Sequence, residues 1–155
     1  MTTPPPQVII YTDGACRGNP GAGGYGTLLI SNNRKKELSE GYRLTTNNRM
    51  ELMAVIAGLE ALKIPGCEVI IYSDSKYVVE AVEKKWLFAW LKTGFKGKKN
   101  ADLWMRFLEL YNRHKVRFVW VKGHAINEGI ERCDQLAVEA SQQPVLQEDS
   151  GYQPE

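Results

Sequence analysis

The feature that most constrains this chain is a change of hydrophobic period at Asn48. Before it, VIIYTDG (8–14) reads as a buried strand, GGYGTLLI (23–30) as a second and KELSEGYRL (36–44) as a more exposed third, with SNNR as the turn between the last two. After it, Leu52, Val55, Ile56, Leu59 and Leu62 fall on one face of a helix of about four turns, which Pro65 and Gly66 stop. EVIIYSD (68–74) is a continuous apolar run of buried-strand type. A short helix over 76–82, a Trp- and Lys-rich segment, a helix over 101–113, a fifth strand at 116–121 and a last helix over 127–140 follow. A meander followed by strand–helix alternation predicts an α/β fold, a mixed sheet with helices on its faces. At 155 residues this is one domain over 1–155, with residues 1–6 and about 142–155 as tails.

Composition narrows the class. No apolar segment approaches 18 residues and no basic-plus-apolar leader follows Met1, so a cytoplasmic protein is expected, with no membrane span. Cys16, Cys67 and Cys133 form no CxxC pair, and with His114 and His124 they complete no zinc cage. The net charge of +2 conceals an asymmetry. Residues 76–122 hold twelve Lys or Arg against four Asp or Glu, and residues 123–155 hold one against seven. A basic middle suits a polyanion.

Four carboxylates stand in unusual places. Asp13 and Asp74 each end a strand that ought to be central, where ligands of open sheets gather. Glu51 shares the stripe of Val55, Leu59 and Leu62, and Asp134 takes a position where the last helix should show an apolar residue, so both are expected to face inward. Each alone would pass as a cap or half of an ion pair. Two like charges ~4 Å apart repel by about 4 kcal/mol at a protein-surface dielectric, so a partly dry cluster must protonate or bind cations. Oxygen ligands select hard divalent ions, magnesium first, and two such ions serve in-line displacement at a phosphodiester.

TDGACRGNPGAGGYG, TTNNRMELMAVIAGLEAL, YSDSKYV, NADLW, WVKGHA and ERCDQLA resemble, in order and at similar spacing, the motifs of bacterial type I ribonuclease H. The resemblance implies a five-stranded mixed sheet, an antiparallel meander plus two parallel strands, flanked by helices. It implies a monomeric endonuclease that hydrolyses the RNA strand of RNA–DNA hybrids with two Mg2+ ions, Mn2+ being a possible substitute, and leaves 5′-phosphate and 3′-hydroxyl ends. Asp13, Glu51, Asp74 and Asp134 match the metal-binding carboxylates. His124 matches a loop histidine that assists proton transfer or product departure; an inert surface histidine is the other reading. The glycines after Asp13 are then expected to permit tight turns and close approach to nucleic acid.

Residues matching Cys16, Asn19, Asn48 and Lys76 contact the RNA strand in that family, most of which carries glutamine where Lys76 stands. Thr46, Arg49 and Asn100 match a pocket for a DNA-strand phosphate. WLFAWLKTGFKGKKN resembles the basic protrusion that grips the hybrid, with a loop a few residues shorter than the best-known form. Trp86 and Trp90 share a helical face, which either lines a groove or packs that helix. Lys92, Lys96, Lys98 and Lys99 offer phosphate attraction. Met53, Trp104 and Trp120 are expected in the core, and Cys133 is expected buried and inert. Two other functions remain open on sequence: a hybrid-binding module without catalysis, and another nuclease of the same broad fold, such as a junction resolvase or transposase core.

Overall fold

A computed structural model describes residues 5–122 and 127–154. Its sheet has five strands, lying side by side in the order third, second, first, fourth, fifth along the chain. β1 (Gln7–Arg17), β2 (Gly21–Ser31) and β3 (Arg34–Thr45) form the antiparallel meander, and β4 (Glu68–Ser73) and β5 (Lys115–Trp120) add parallel to β1. The β2–β3 turn is made by Asn32 and Asn33, with φ of 50° and 65°. Asparagine tolerates the left-handed region that a two-residue hairpin demands.

The helices are α1 (Asn47–Glu60), α2 (Lys76–Glu83), α3 (Trp86–Lys92), α4 (Ala101–Tyr111) and α5 (Glu128–Ser141). No helix of the described residues is long and apolar enough to cross a membrane. α1 packs on β1 and β2 and is covered in turn by α4, while α5 packs on β1, β2 and β3. α1 is therefore buried beyond the single stripe expected. Met50, Leu52, Ala54, Val55, Ile56 and Leu59 are all fully enclosed. Each large one contributes roughly 1.5–3 kcal/mol by burial. Trp104, also fully buried, centres an aromatic cluster with Tyr77, Trp90 and Phe107.

Three expectations need correction. Asp13 does not end its strand. β1 continues to Arg17 opposite β2, and what ends is its pairing with β4, at Tyr11–Tyr72. The glycines after Asp13 are mostly strand residues; of the six, only Gly18 has a positive φ. Their use is internal: a Cβ at Gly26 would lie 2.2 Å from the Cys133 carbonyl oxygen, so α5 can lie directly on the sheet backbone. Trp120 is not core. It is 41% exposed at the end of β5, on the face of buried Phe118 but past the covering helices.

Met53, Trp104 and Cys133 are buried as expected. The segment after α5, expected as a tail, is bonded to the domain. Gln147 bridges Tyr42 in parallel fashion, and Asp149 reaches Arg49 and Thr45.

Candidate active site

Asp13 projects where β4 stops flanking β1, and Asp74 follows β4 directly, ahead of the Ser75 cap of α2. Glu51 arrives from the opposite side, in the first half of α1, whose start is set by Thr46 accepting the Arg49 amide at 3.2 Å. Gly14 makes this approach possible: a Cβ there would sit 2.5 Å from the Glu51 nitrogen and 2.6 Å from the Met50 carbonyl carbon. One carboxylate oxygen from each of Asp13, Glu51 and Asp74 lies within 4.8 Å of the others.

Asp134 is a correction of orientation. It is exposed, because the inward stripe of α5 runs through Ile130, Cys133, Ala137 and Ala140, one residue out of step with it. Its charge nevertheless acts on both Asp13 and Asp74.

The electrostatics are those of a site short of positive charge. Burial, then Asp74 and Asp134, push the Asp13 carboxyl up to about 8. Burial, then Asp13 and Asp74, raise Glu51 well above the carboxylate range. Asp74 is raised too, first by burial and then by Asp134. Glu51 Oε2 is sealed from solvent with no hydrogen-bond partner. A buried carboxylate oxygen with nothing to accept is costly. The all-oxygen donor set and that orphaned atom fit a hard divalent cation, and Asp13, Glu51 and Asp74 would hold it.

Beside the cluster a groove of about 370 Å3 is lined by Asn48, Tyr77, Trp86, Trp90, Lys98, Lys99 and Asn100, together with Gly97. It unites six of the thirteen residues expected to meet nucleic acid: Asn48, Trp86, Trp90, Lys98, Lys99 and Asn100. Lys92 and Lys96 are exposed outside its lining. Lys98 Nζ stands 5.1 Å over the Trp90 ring and Lys84 Nζ 5.3 Å over Trp86. Trp90 does both things the sequence allowed, packing on Trp104 and lining the groove. A larger cavity, about 540 Å3 between the ends of α1 and α4, lies away from the carboxylates and contains none of the expected site residues.

Arg49 is only 2% exposed, and each of its five N–H donors is engaged. They go to Asp149 at 2.7 and 2.9 Å, Asp102 at 2.8 and 2.9 Å, and Asn100 Oδ1 at 3.2 Å. Burial would lower its pKa, but Asp102 and Asp149 outweigh burial and raise it. Arg49 thus acts on the groove through Asn100, whose oxygen it orients. Asn100 Nδ2 then donates to the Tyr77 hydroxyl at 3.0 Å, which also accepts from Trp104 Nε1 at 2.9 Å.

Sequence reasoning missed Tyr77, although an aromatic directly after Lys76 was the available signal. Cys16 Sγ lies 3.4 Å from the Thr45 carbonyl oxygen, tying the end of β1 to the end of β3, and Asn19 Oδ1 accepts the Asn47 amide at 3.1 Å, tying the β1–β2 turn to the start of α1. His124 lies outside the described residues.

A carboxylate cluster that could hold a dication, next to a basic and aromatic groove, is the arrangement of a metal-dependent hydrolase of polyanions. The relatives make the class specific. The RNase H family model matches residues 5–142. A Ribonuclease H of Rippkaea orientalis is 56% identical over 158 residues, covering 99% of this chain and 96% of that protein. Among solved structures, LC9-RNase H1, a type 1 RNase H with the type 2 active-site motif, superposes with a TM-score of 0.80 at 32% identity, over 91% of this chain and 74% of its own. LC11-RNase H1, solved in complex with an RNA/DNA hybrid, gives 0.67 at 27% identity, over 86% and 95%. The chain belongs to the RNase H family, and with it to the endoribonucleases.

Proposed function

We propose that this chain cuts the RNA strand of RNA–DNA hybrids with Mg2+ held by Asp13, Glu51, Asp74 and Asp134, acting as a cytoplasmic monomer. The observation that carries the reading is the convergence of three carboxylates from β1, α1 and the end of β4, with Glu51 Oε2 buried and unpartnered. The family membership and the hybrid bound by LC11-RNase H1 support the substrate.

Bound divalent ions, two with substrate in place, supply charge neutralisation at the phosphate and lower the pKa of water. The chain's own residues do the rest. Asp13 and Glu51 are placed, by burial and mutual repulsion, to surrender protons when cations arrive. Trp86, Trp90, Lys98 and Lys99 present stacking surface and positive charge to one strand, which fixes register without reading sequence. Cys16, Asn19 and Asn48 gather near the start of α1 to meet the RNA, whose 2′-hydroxyls separate it from DNA. Thr46 and Asn100 line the pocket for a DNA-strand phosphate, and Arg49, whose own donors are all engaged, braces Asn100 there. His124 assists proton transfer or product departure. The products carry 5′-phosphate and 3′-hydroxyl ends.

The test is a gel assay with end-labelled hybrid, duplex DNA and branched DNA, each with and without Mg2+. Only the hybrid is expected to be cut, and only with the ion. Asp13→Asn and Asp74→Asn are expected to lower turnover by at least ~10³-fold while hybrid binding survives; near-normal turnover in either refutes the metal assignment. Binding of hybrid by the wild type without any cleavage would leave a binding module instead.

A further inference from the structure

Trp120 is a large aromatic residue left outside the core, 41% exposed at the carboxyl end of β5. Its position is tied to the site from two directions. In the parallel β4–β5 ladder it pairs with Ser73, one residue before Asp74, and its indole Nε1 donates to the Asp74 carbonyl at 3.3 Å. On the ring face stands the Lys76 ammonium, 4.9 Å from the centroid.

Lys76 is the exposed first residue of α2, two residues beyond Asp74. Lysine is among the most rotamer-rich side chains, and a free one would sweep a wide volume of solvent. Over the indole it is confined by attraction to the ring's negative face. The indole N–H fixes that ring, in turn, to the same strand end that delivers Asp74.

We propose that Trp120 is a positioning residue for the reaction, holding the Lys76 ammonium beside the carboxylate cluster as a clamp on a phosphate of the strand being cut. The inference rests on the hybrid-cleaving reading above. A strand whose reacting phosphate lies at Asp13 and Asp74 carries its neighbouring phosphates past the start of α2, where this charge waits. A held cation loses less freedom on binding phosphate than a wandering one, so the effect belongs in substrate capture.

The test is steady-state cleavage of labelled hybrid by the full chain at saturating MgCl2 over about 50–300 mM KCl. The variants are Trp120→Phe, Trp120→Leu, Lys76→Gln and Trp120→Leu with Lys76→Gln. Trp120→Leu is expected to raise KM about two- to fivefold, the equilibrium equivalent of an exposed cation–π contact, with kcat within about twofold. The plot of log kcat/KM against log salt should flatten by up to about one unit, as for one lost phosphate contact.

Trp120→Phe, which keeps a ring face but loses the indole N–H to the Asp74 carbonyl, should raise KM less than Trp120→Leu does. In the Lys76→Gln background, adding Trp120→Leu should change neither KM nor the salt slope. Equal effects of Trp120→Leu in both backgrounds, an unchanged KM, or a Phe variant as impaired as Leu would overturn the clamp. Should Trp120→Leu fail to fold, Lys76→Arg and Lys76→Gln carry the test with the indole in place. Arg must then keep the wild-type KM and slope while Gln loses both, and equal behaviour refutes the proposal. A wild type that cuts no hybrid sinks the functional reading itself; one that cuts while Trp120 and Lys76 act independently sinks only this inference.

Discussion

Asp13 is held protonated near neutrality by burial and by its acidic neighbours, with a carboxyl pushed up to about 8 against 3.8 in its ordinary state. A folded-state pKa above the unfolded one means that the native protein binds a proton which the unfolded chain releases. The stability linked to this group is therefore complete below about pH 4 and is lost as pH rises toward about 8. In chelator, the melting temperature should fall across that window, and Asp13→Asn should flatten the fall. The variant should be more stable than wild type at pH 8 by on the order of 1–3 kcal/mol, measured by urea unfolding in EDTA. Mg2+ should raise the wild-type melting temperature at pH 8 and leave that of Asp13→Asn nearly unmoved. A less stable Asp13→Asn would mean that the carboxylates are structural partners instead of displaced ligands.

At the level of elements, the site depends on two helices lying closer to strands than side chains would permit. Gly14 admits the start of α1, and Gly26 admits α5. Gly26→Ala should cost about 1–3 kcal/mol in chemical denaturation, since its Cβ meets backbone that cannot rotate away. Gly14→Ala should lower kcat by roughly 10²-fold beyond any loss of stability, because displacing α1 displaces Glu51, and shifts of about 1 Å carry such penalties. An alanine at 14 with wild-type turnover would show that Glu51 is positioned by other means. α3 is a smaller case: Leu87 is its buried anchor, while Trp90 divides its surface between the aromatic core and the groove.

Across the whole molecule, the C-terminal segment closes a network that begins at the groove. Asp149, in a stretch that read as a tail, supplies two of the bonds that hold buried Arg49, and Arg49 orients Asn100. Removing one member of a buried charged set leaves the other exposed to the full cost of desolvation. Asp149→Ala should therefore destabilise the protein by about 3 kcal/mol in urea melts. It should also raise KM for hybrid more than it lowers kcat, since the loosened amide lies in the groove and not at the carboxylates. Loss of stability below ~0.5 kcal/mol would show that Asp102 alone suffices for Arg49.

The sequence by itself determined the order and type of the strands and helices. Hydrophobic period and turn residues are local properties, and Leu52 through Leu62 announce a helix wherever they are placed. It also nominated Asp13, Glu51 and Asp74, because charge at the end of an apolar run or on an apolar stripe stands out without any partner in view. Only the tertiary structure decided what lies one residue out of phase or far along the chain. It turned Asp134 outward and Cys133 inward and left Trp120 beyond the cover of the helices. It also brought Asp149 back across 100 residues to Arg49. Such outcomes follow from how far each layer extends over its neighbour and which surfaces a returning segment can reach, and these are set by the packing of all elements together.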